Sequence, residues 1–182
     1  ISREPLGVIG IISPWNFPIA IPAWKAAPAM MCGNAVILKP ASLTPASAIA
    51  LTEIISKQDI PSGLFNLVLG SGSNIGNKIA SHPDIVAITF TGSVEVGKKL
   101  YQNSSPLLKK MQMEMGSKNP LVVMEDANLN TAITCAANGA YGGTGQKCTA
   151  SSRLIVHEDI YAKFVEGLVE NIKNLKVGHA LD

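Results

Sequence analysis

The residues of this chain best suited to chemistry are a cysteine and a glutamate in two short glycine-containing motifs. Cys148 closes the run Gly145-Gln146-Lys147-Cys148, and Glu114 lies upstream in Met113-Glu114-Met115-Gly116. A thiolate can attack an electrophilic carbon and a carboxylate can then activate water, so the pair suits covalent catalysis followed by hydrolysis. The alternatives are an inert core thiol and an edge-strand carboxylate that faces water. Because methionines flank Glu114, we expect it to be partly buried, which would tune it as a general base.

Two further polar residues directly follow apolar runs. Asn16 lies in Pro14-Trp15-Asn16-Phe17-Pro18, and its side-chain amide could donate to an oxyanion or could simply form a turn. Lys39 precedes Pro40 and could reach a ribose or a phosphate, or could be a solvated loop lysine. Since α/β proteins bind ligands beyond the carboxyl ends of their strands, both residues are candidates for a site.

Two glycine-containing turns point to a nucleotide. Gly70, Gly72 and Gly76 follow a predicted strand and open a helix, and Phe90-Thr91-Gly92-Ser93 repeats the arrangement in the next unit. Such turns let backbone N–H groups approach a phosphate at a helix N-terminus. The spacing departs from the usual dinucleotide fingerprint, and a glycine-rich turn without a ligand is common, but the second turn favours nucleotide binding.

Strands and helices alternate along the chain and must position these residues. Their alternation predicts crossover βαβ units and an α/β, Rossmann-like fold with a mostly parallel sheet covered by helices on both faces. A change of domain between Ser105 and Pro120 gives a nucleotide-binding domain at 1–112 and the start of a second α/β domain at 113–182. The predicted strands are 6–12, 35–38, 66–69, 85–90, 110–115, 120–124 and 153–157. The predicted helices are 17–31, 45–57 with Thr44 as its N-cap, 77–80, 94–101, 128–141 and 160–175.

Composition narrows the class of protein. Hydrophobic residues make up 47% of the 182 residues and charged ones 15%, as in a globular chain with a large core. A net charge of +2 without a basic stripe argues against nucleic acid, and no stretch predicts a membrane span. The three cysteines and three histidines are dispersed, which argues against a metal site or a disulfide framework. We therefore expect a reducing, cytoplasmic compartment.

In combination, the motifs are more specific than any one of them. Their order and approximate spacing, from Pro5 to Gly178, resemble the aldehyde dehydrogenase superfamily. The motifs that carry the resemblance are Pro14-Trp15-Asn16-Phe17-Pro18, Lys39-Pro40-Ala41-Ser42, Phe90-Thr91-Gly92-Ser93, Glu114-Met115-Gly116 with Lys118 and Pro120, and Gly145-Gln146-Lys147-Cys148.

The resemblance implies a role for each catalytic candidate. Cys148 corresponds to the nucleophile that traps an aldehyde as a thiohemiacetal, and Asn16 with the Cys148 N–H to the groups that stabilise the oxyanion. Hydride transfer to NAD(P)+ would leave a thioester, and Glu114 corresponds to the base that activates water to hydrolyse it. The expected product is a carboxylic acid.

The resemblance also implies the residues that hold NAD(P)+. Lys39 corresponds to a ligand of the adenosine ribose and Trp15 to a residue that lines the cofactor. The turns at Gly72, Gly92 and Ser93 correspond to those that hold the pyrophosphate.

The chain departs from the family pattern at two positions. Ser42 stands where NAD-preferring members often carry a glutamate, so we expect NADP+ to be tolerated or preferred. Ser117 replaces the family's usual second glycine after the base, and its added bulk and hydroxyl could shift the strand beneath the nicotinamide.

Full members of the superfamily are more than twice as long as this chain. We therefore expect a fragment with little turnover of its own, taken from a homodimeric or homotetrameric parent. The run Gly143 to Ala150 is similar to the branch that oxidises semialdehydes of dicarboxylic acids. A CoA-acylating dehydrogenase and a non-catalytic dinucleotide-binding or structural member remain alternatives.

Overall fold

The computed structural model describes residues 2–179 and 181, which form two compact units divided between Met115 and Gly116. The strands of the first unit are β1 (Val8–Ile12), β2 (Ala35–Lys39), β3 (Phe65–Leu67), β4 (Ile85–Gly92) and β5 (Lys110–Met115). Its helices are α1 (Ala20–Met31), α2 (Pro45–Ser56), α3 (Asn77–Ser81) and α4 (Val94–Ser104), with a π-helical turn at Gly72–Gly76 and a 3-10 turn at Ser105–Leu107.

The sheet of the first unit is parallel throughout, with the strand order β3-β2-β1-β4-β5. The chain moves outward from β1 to β3 and then returns to the other side of β1 with β4 and β5. The order therefore reverses between β1 and β4, where Ile12 pairs with Phe90. The predicted α/β fold with a mostly parallel sheet is confirmed.

Helices cover both faces of this sheet. On one face, α1 and α2 bring Ala26 and Ala48 against a cluster that includes Ile11 and Leu38. The other face carries the second cluster, whose buried members are Ile12, Ile79, Ala80, Ile85, Ile88, Phe90 and Leu100. Strands buried on both sides read as continuous apolar runs, which is why they could be recognised in the sequence.

The second unit is smaller and has its own core. Two parallel strands, β6 (Asn119–Val123) and β7 (Ser151–Val156), pack with helices α5 (Leu129–Tyr141) and α6 (Glu158–Lys173). A 3-10 turn occupies Gly142–Gly145. The buried residues of this core are Val123, Ile133, Ala136 and Phe164. The Asn128 side chain accepts a hydrogen bond from the Thr131 N–H at 3.0 Å, which confirms the predicted cap of α5.

Several element boundaries differ from the predicted ones. The helix predicted from residue 17 begins at Ala20, because the chain from Pro14 to Pro18 forms an irregular loop. Strand β3 is displaced by one residue and shortened, whereas β5 matches its prediction at 110–115. In the described part of the chain, the helices are too short or too polar to cross a bilayer.

Candidate active site

The candidate residues of the first unit lie along the carboxyl edge of its sheet. Because all five strands are parallel, their carboxyl ends lie along one edge. Asn16 follows β1, Lys39 ends β2, Gly72 follows β3, Gly92 ends β4 and Glu114 is the penultimate residue of β5. The fold thus places residues from five separate motifs along one edge of the sheet.

The switch point of the sheet is the place between β1 and β4 where the strand order reverses. Asn16 and the turn before α4 lie on either side of it. Asn16 is half-buried in the loop after β1. Ser93 caps α4 by accepting a hydrogen bond from the Val96 N–H at 3.3 Å. A Cβ atom at Gly92 would lie 2.5 Å from the Phe90 ring, so only glycine fits there without movement of that ring. A crevice at a switch point, beside a helix N-terminus, is where doubly wound sheets bind phosphate-bearing ligands.

The glycine-rich turn after β3 leaves open space beside its backbone. Ser71 caps the π-helical turn by accepting from the Asn74 N–H at 3.2 Å. A Cβ atom at Gly72 would meet nothing within 4 Å, whereas one at Gly70 would lie 2.6 Å from Ile75, and Gly70 also has a φ of +152°. Gly70 is therefore the glycine that the turn requires, and Gly72 leaves room for a ligand.

Lys39 lies inside the fold and is not a solvated loop lysine. The residue is only 4% exposed, and its Nζ donates to the Pro40 carbonyl at 2.7 Å. Burial lowers the pKa of Lys39 from its ordinary value. A cation in such surroundings gains more from an anionic partner than one in water does.

Side chains join the loops that follow the first three strands. The Ser42 hydroxyl donates to the Gly70 carbonyl at 3.2 Å. Thr44 occupies the predicted N-cap position of α2, but its hydroxyl donates to the Trp15 carbonyl at 3.5 Å instead of capping the helix. Trp15 itself is exposed. These bonds link the loops at the carboxyl edge to one another.

Glu114 is exposed, so the predicted partial burial among methionines is wrong. Alternate residues of β5 face opposite ways: Met113 and Met115 pack against the core, while Gln112 and Glu114 lie on the exposed face. The period-2 pattern of the strand contained this information.

A polar network surrounds Glu114 that the motifs did not indicate. The Gln112 side chain donates its amide N–H to the Glu114 carboxylate at 3.1 Å and accepts from the Lys25 Nζ at 2.9 Å. Lys25 also donates to the Thr89 hydroxyl at 2.7 Å, and Thr89 in turn donates to Gln112. Burial lowers the pKa of Lys25, and the negative charge of Glu114 partly opposes this effect. Lys25 is the one charged residue of α1, which was the only available sequence signal.

Cys148 lies in the second unit, in a turn closed by the Ala150 N–H, which donates to the Lys147 carbonyl at 3.1 Å. Cys148 is exposed, so it is not an inert core thiol. Gly143, Thr144 and Gly145, which precede the turn, have φ values of 62°, 58° and 68°. The side-chain amide of Asn119 donates to the Cys148 carbonyl at 2.6 Å, a contact that the sequence did not suggest.

Neither a disulfide nor a metal centre occurs among the described residues. Cys32, Cys135 and Cys148 are free thiols. Within residues 2–179 and 181, no three histidine, cysteine, aspartate or glutamate side chains are arranged to hold a metal ion.

The fold and the residues at the carboxyl edge of its sheet define a class of protein. A doubly wound parallel sheet with glycine turns and a capped helix at its switch point is a Rossmann-like α/β domain. The family model described as "Aldehyde dehydrogenase family" matches residues 1–182. The chain belongs to the aldehyde dehydrogenase family.

Characterised relatives include enzymes with different substrates in their names. The chain is 46% identical over 178 residues to the 2,5-dioxopentanoate dehydrogenase of Saccharolobus solfataricus, covering 97% of this chain and 37% of that protein. It is 46% identical to the alpha-ketoglutaric semialdehyde dehydrogenase of Bacillus subtilis, covering 99% of this chain and 37% of that protein. It is 47% identical to retinaldehyde dehydrogenase 3 of Mus musculus, covering 99% of this chain and 35% of that protein. The chain thus spans little more than a third of the length of these relatives.

Solved structures agree with the family assignment. The betaine aldehyde dehydrogenase of Staphylococcus aureus in complex with NAD+ gives a TM-score of 0.95 at 36% identity, covering 98% of this chain and 35% of that chain. An Escherichia coli enzyme described as NADP dependent gives a TM-score of 0.94 at 39% identity, covering 98% of this chain and 37% of that chain.

Proposed function

We propose that this chain supplies the cofactor-binding and thiol-bearing parts of an NAD(P)+-dependent aldehyde dehydrogenase of the hydrolytic type. The observation that carries the proposal is the carboxyl edge of the first sheet, where Asn16, Lys39, Gly92 and Glu114 lie together in a member of this family. The exposed Cys148 supplies the thiol that the chemistry needs.

In the first step, the Cys148 thiolate adds to the carbonyl carbon of an aldehyde. A C–S bond forms and the carbonyl π electrons move to oxygen, which gives the thiohemiacetal oxyanion. The side-chain amide of Asn16 and the backbone N–H of Cys148 are the proposed donors to this oxyanion, and each such donor is typically worth about 3–4 kcal/mol in the transition state. The chemistry that NAD(P)+ would supply when bound is acceptance of a hydride from the thiohemiacetal carbon, and Cys148 would then hold the acyl group as a thioester.

In the second step, Glu114 acts as the base for hydrolysis. Its carboxylate takes a proton from water, the resulting hydroxide oxygen attacks the thioester carbon, and the C–S bond breaks to return the Cys148 thiolate. The products are a carboxylic acid and a released proton. The exposure of Glu114 supports this role, because water can reach its carboxylate.

The first unit fits a dinucleotide in its donor groups and in its open space. Lys39 offers a buried cation for a ribose or a phosphate, and the turn at Gly72 leaves its backbone accessible. The capped N-terminus of α4 at Ser93 and the side-chain-free position at Gly92 suit a pyrophosphate, and Trp15 is exposed for packing against the cofactor.

Ser42 favours tolerance of NADP+. Its hydroxyl is neutral and donates to the Gly70 carbonyl, so no carboxylate at this position repels a 2′-phosphate. We propose that the enzyme uses NAD+ or NADP+, with NADP+ tolerated or preferred.

For the substrate we propose a semialdehyde of a dicarboxylic acid. The support is the run Gly143 to Ala150 together with the relatives named for 2,5-dioxopentanoate and alpha-ketoglutaric semialdehyde. Overall identity does not distinguish the substrates, since the retinaldehyde enzyme is equally similar. A cytoplasmic location and a homodimeric or homotetrameric parent complete the proposal.

The experiment uses a protein of the relatives' full length that contains this chain. A panel of aldehydes is assayed with NAD+ and with NADP+, and the product is identified as a free acid or as an acyl-CoA after addition of coenzyme A. Cys148→Ala should abolish NAD(P)H formation, while Cys135→Ala, which removes another exposed cysteine, should not. Acyl-CoA as the main product would favour the acylating alternative. The absence of turnover with every aldehyde, alongside intact dinucleotide binding, would favour a non-catalytic member.

A further inference from the structure

We propose that Asn119 is a positioning residue for Cys148, because its side-chain amide fixes the peptide that follows the thiol-bearing residue. The inference rests on the proposed function, in which Cys148 is the nucleophile. Asn119 is the first residue of β6 and lies 29 residues before Cys148 in the chain.

Cys148 occupies a β-turn, a structure that in general can adopt either of two common backbone arrangements. The Ala150 N–H donates to the Lys147 carbonyl at 3.1 Å, so Cys148 and Thr149 are the central residues of a β-turn. The two commonest types of β-turn differ by a rotation of the central peptide through roughly 180°. The carbonyl of Cys148 belongs to that peptide and takes no part in the hydrogen bond that closes the turn. An acceptor in this position needs a partner from outside the turn to fix its direction.

Asn119 supplies that partner. Its Nδ2 donates to the Cys148 carbonyl at 2.6 Å and to the Ala150 carbonyl at 3.1 Å. An asparagine amide has two N–H donors, and here both are directed to carbonyls of the same turn. Fixing the first carbonyl fixes ψ of Cys148, and with it the direction of its Cα–Cβ bond relative to β6.

Other features of the second unit do not perform this task. Cys148 is exposed, so packing of its side chain does not hold it in place. The preceding segment has left-handed backbone conformations from Gly143 to Gly145, so no regular helix leads into Cys148 and positions its thiol. Asn119, by contrast, belongs to the β6–β7 ladder and pairs with Ser151 just beyond the turn. A group held by a strand is positioned more accurately than one held by a loop.

The substitution Asn119→Asp tests this role with almost no change of shape. An ionised carboxylate has no N–H to donate, and it would face two carbonyl oxygens that repel it. Asn130→Asp is the matched control, because it makes the same chemical change on an exposed residue of α5 in the same unit. Both variants are made in the full-length protein that contains this chain.

Two measurements distinguish the alignment of the Cys148 thiol from its intrinsic reactivity: the burst of NAD(P)H formation and the rate of thiol alkylation. In Asn119→Asp, the rate of the first-turnover NAD(P)H burst should fall by about 10- to 100-fold, the usual cost of misplacing a reacting group by an ångström. The dissociation constant of NAD(P)+ should be unchanged. Alkylation of Cys148 by iodoacetamide should also be unchanged, since that reaction needs an exposed thiol but no alignment with oxyanion donors. Far-ultraviolet circular dichroism of the same sample reports whether the variant is folded, and alkylation of the exposed Cys135 serves as the internal standard for the reaction with iodoacetamide.

Each outcome decides between the alternatives. A burst rate equal to that of Asn130→Asp overturns the inference, and so does an equal fall in burst and alkylation, which would mean that Asn119 acts on ionisation of the thiol. If circular dichroism shows that Asn119→Asp is unfolded, Asn119→Ser, which shortens the side chain without adding charge, decides by the same readouts. A wild-type protein without an aldehyde-dependent burst, or a burst that survives Cys148→Ala, refutes the proposed function itself, whatever Asn119 does.

Discussion

The glycine at the end of β4 offers a quantitative test of how the proposed cofactor edge is built. In Gly92→Ala, the new Cβ would lie 2.5 Å from Cζ of Phe90 and 2.9 Å from Cε2. Favourable carbon–carbon separations are about 3.5–4.0 Å, so the overlap is roughly 1 Å. Phe90 is only 2% exposed and packs with Ile88 and Leu100, which leaves its ring little room to move away.

Overpacking of this kind costs about 1–3 kcal/mol in the free energy of unfolding. Gly72→Ala is the matched control, because its Cβ would meet nothing within 4 Å and should leave stability within about 0.5 kcal/mol of wild type. Urea unfolding followed by tryptophan fluorescence measures both variants. Trp15 and Trp24 are the two tryptophans of the chain and both lie in the first unit, so the signal reports on that unit alone.

A double variant shows whether the Phe90 ring is the cause. Phe90→Leu shortens the side chain that the new methyl group meets, so Gly92→Ala should cost less in the Phe90→Leu background than in the wild type. The difference should amount to roughly 0.5–3 kcal/mol of coupling, as for other residues in contact. An unchanged urea midpoint in Gly92→Ala, or strictly additive effects in the double variant, would refute the steric reasoning.

Three further predictions concern charge and hydrogen bonding in the first unit. Ser42→Glu should weaken binding of NADP+ more than that of NAD+. The difference should be about fivefold if the new carboxylate lies some 4 Å from the 2′-phosphate in water. Equal losses of affinity in titrations of both cofactors would contradict the role proposed for Ser42. Gln112→Leu removes the amide that joins Lys25 to Glu114. It should raise the activation free energy for hydrolysis of the thioester by about 1.5–3 kcal/mol, which would appear as a larger NAD(P)H burst before a slower steady-state rate. An unchanged steady-state rate would contradict a role for this network in hydrolysis. Because burial lowers the pKa of Lys39 from 10.5, the unfolded chain binds more protons between the lowered value and 10.5, so the free energy of unfolding rises with pH across that window. Lys39→Met should reduce this rise in urea titrations at several pH values, and an identical slope would show that Lys39 does not contribute to it.

The sequence predicted the elements because their signals are local. Strand β5 was placed at 110–115 from its alternation, and the cap of α5 at Asn128 from its residue type. The parallel arrangement followed from the alternation of strands with helices. It brought Asn16 and Lys39 to one edge of the sheet without any knowledge of the strand order.

Long-range contacts could not be predicted in the same way. The Lys25–Gln112 bond joins residues 87 positions apart, and it depends on the Lys25 side chain of α1 reaching Thr89 of β4 and Gln112 of β5. The prediction that Glu114 is partly buried is wrong because successive residues of a strand face opposite sides, so the flanking methionines do not cover the glutamate. Asn119 carries no motif of its own, since its partners are backbone carbonyls that any residue would present.

The identity of the acylated residue is the most direct test of the proposed chemistry. In Glu114→Gln, the base that activates water is lost, so a thioester formed with aldehyde and NAD(P)+ should accumulate. Mass spectrometry of the full-length protein after rapid acid quench, followed by peptide mapping, should place one acyl group on Cys148. An acyl group on Cys32 or Cys135, or no adduct despite NAD(P)H formation, would contradict a mechanism that proceeds through Cys148.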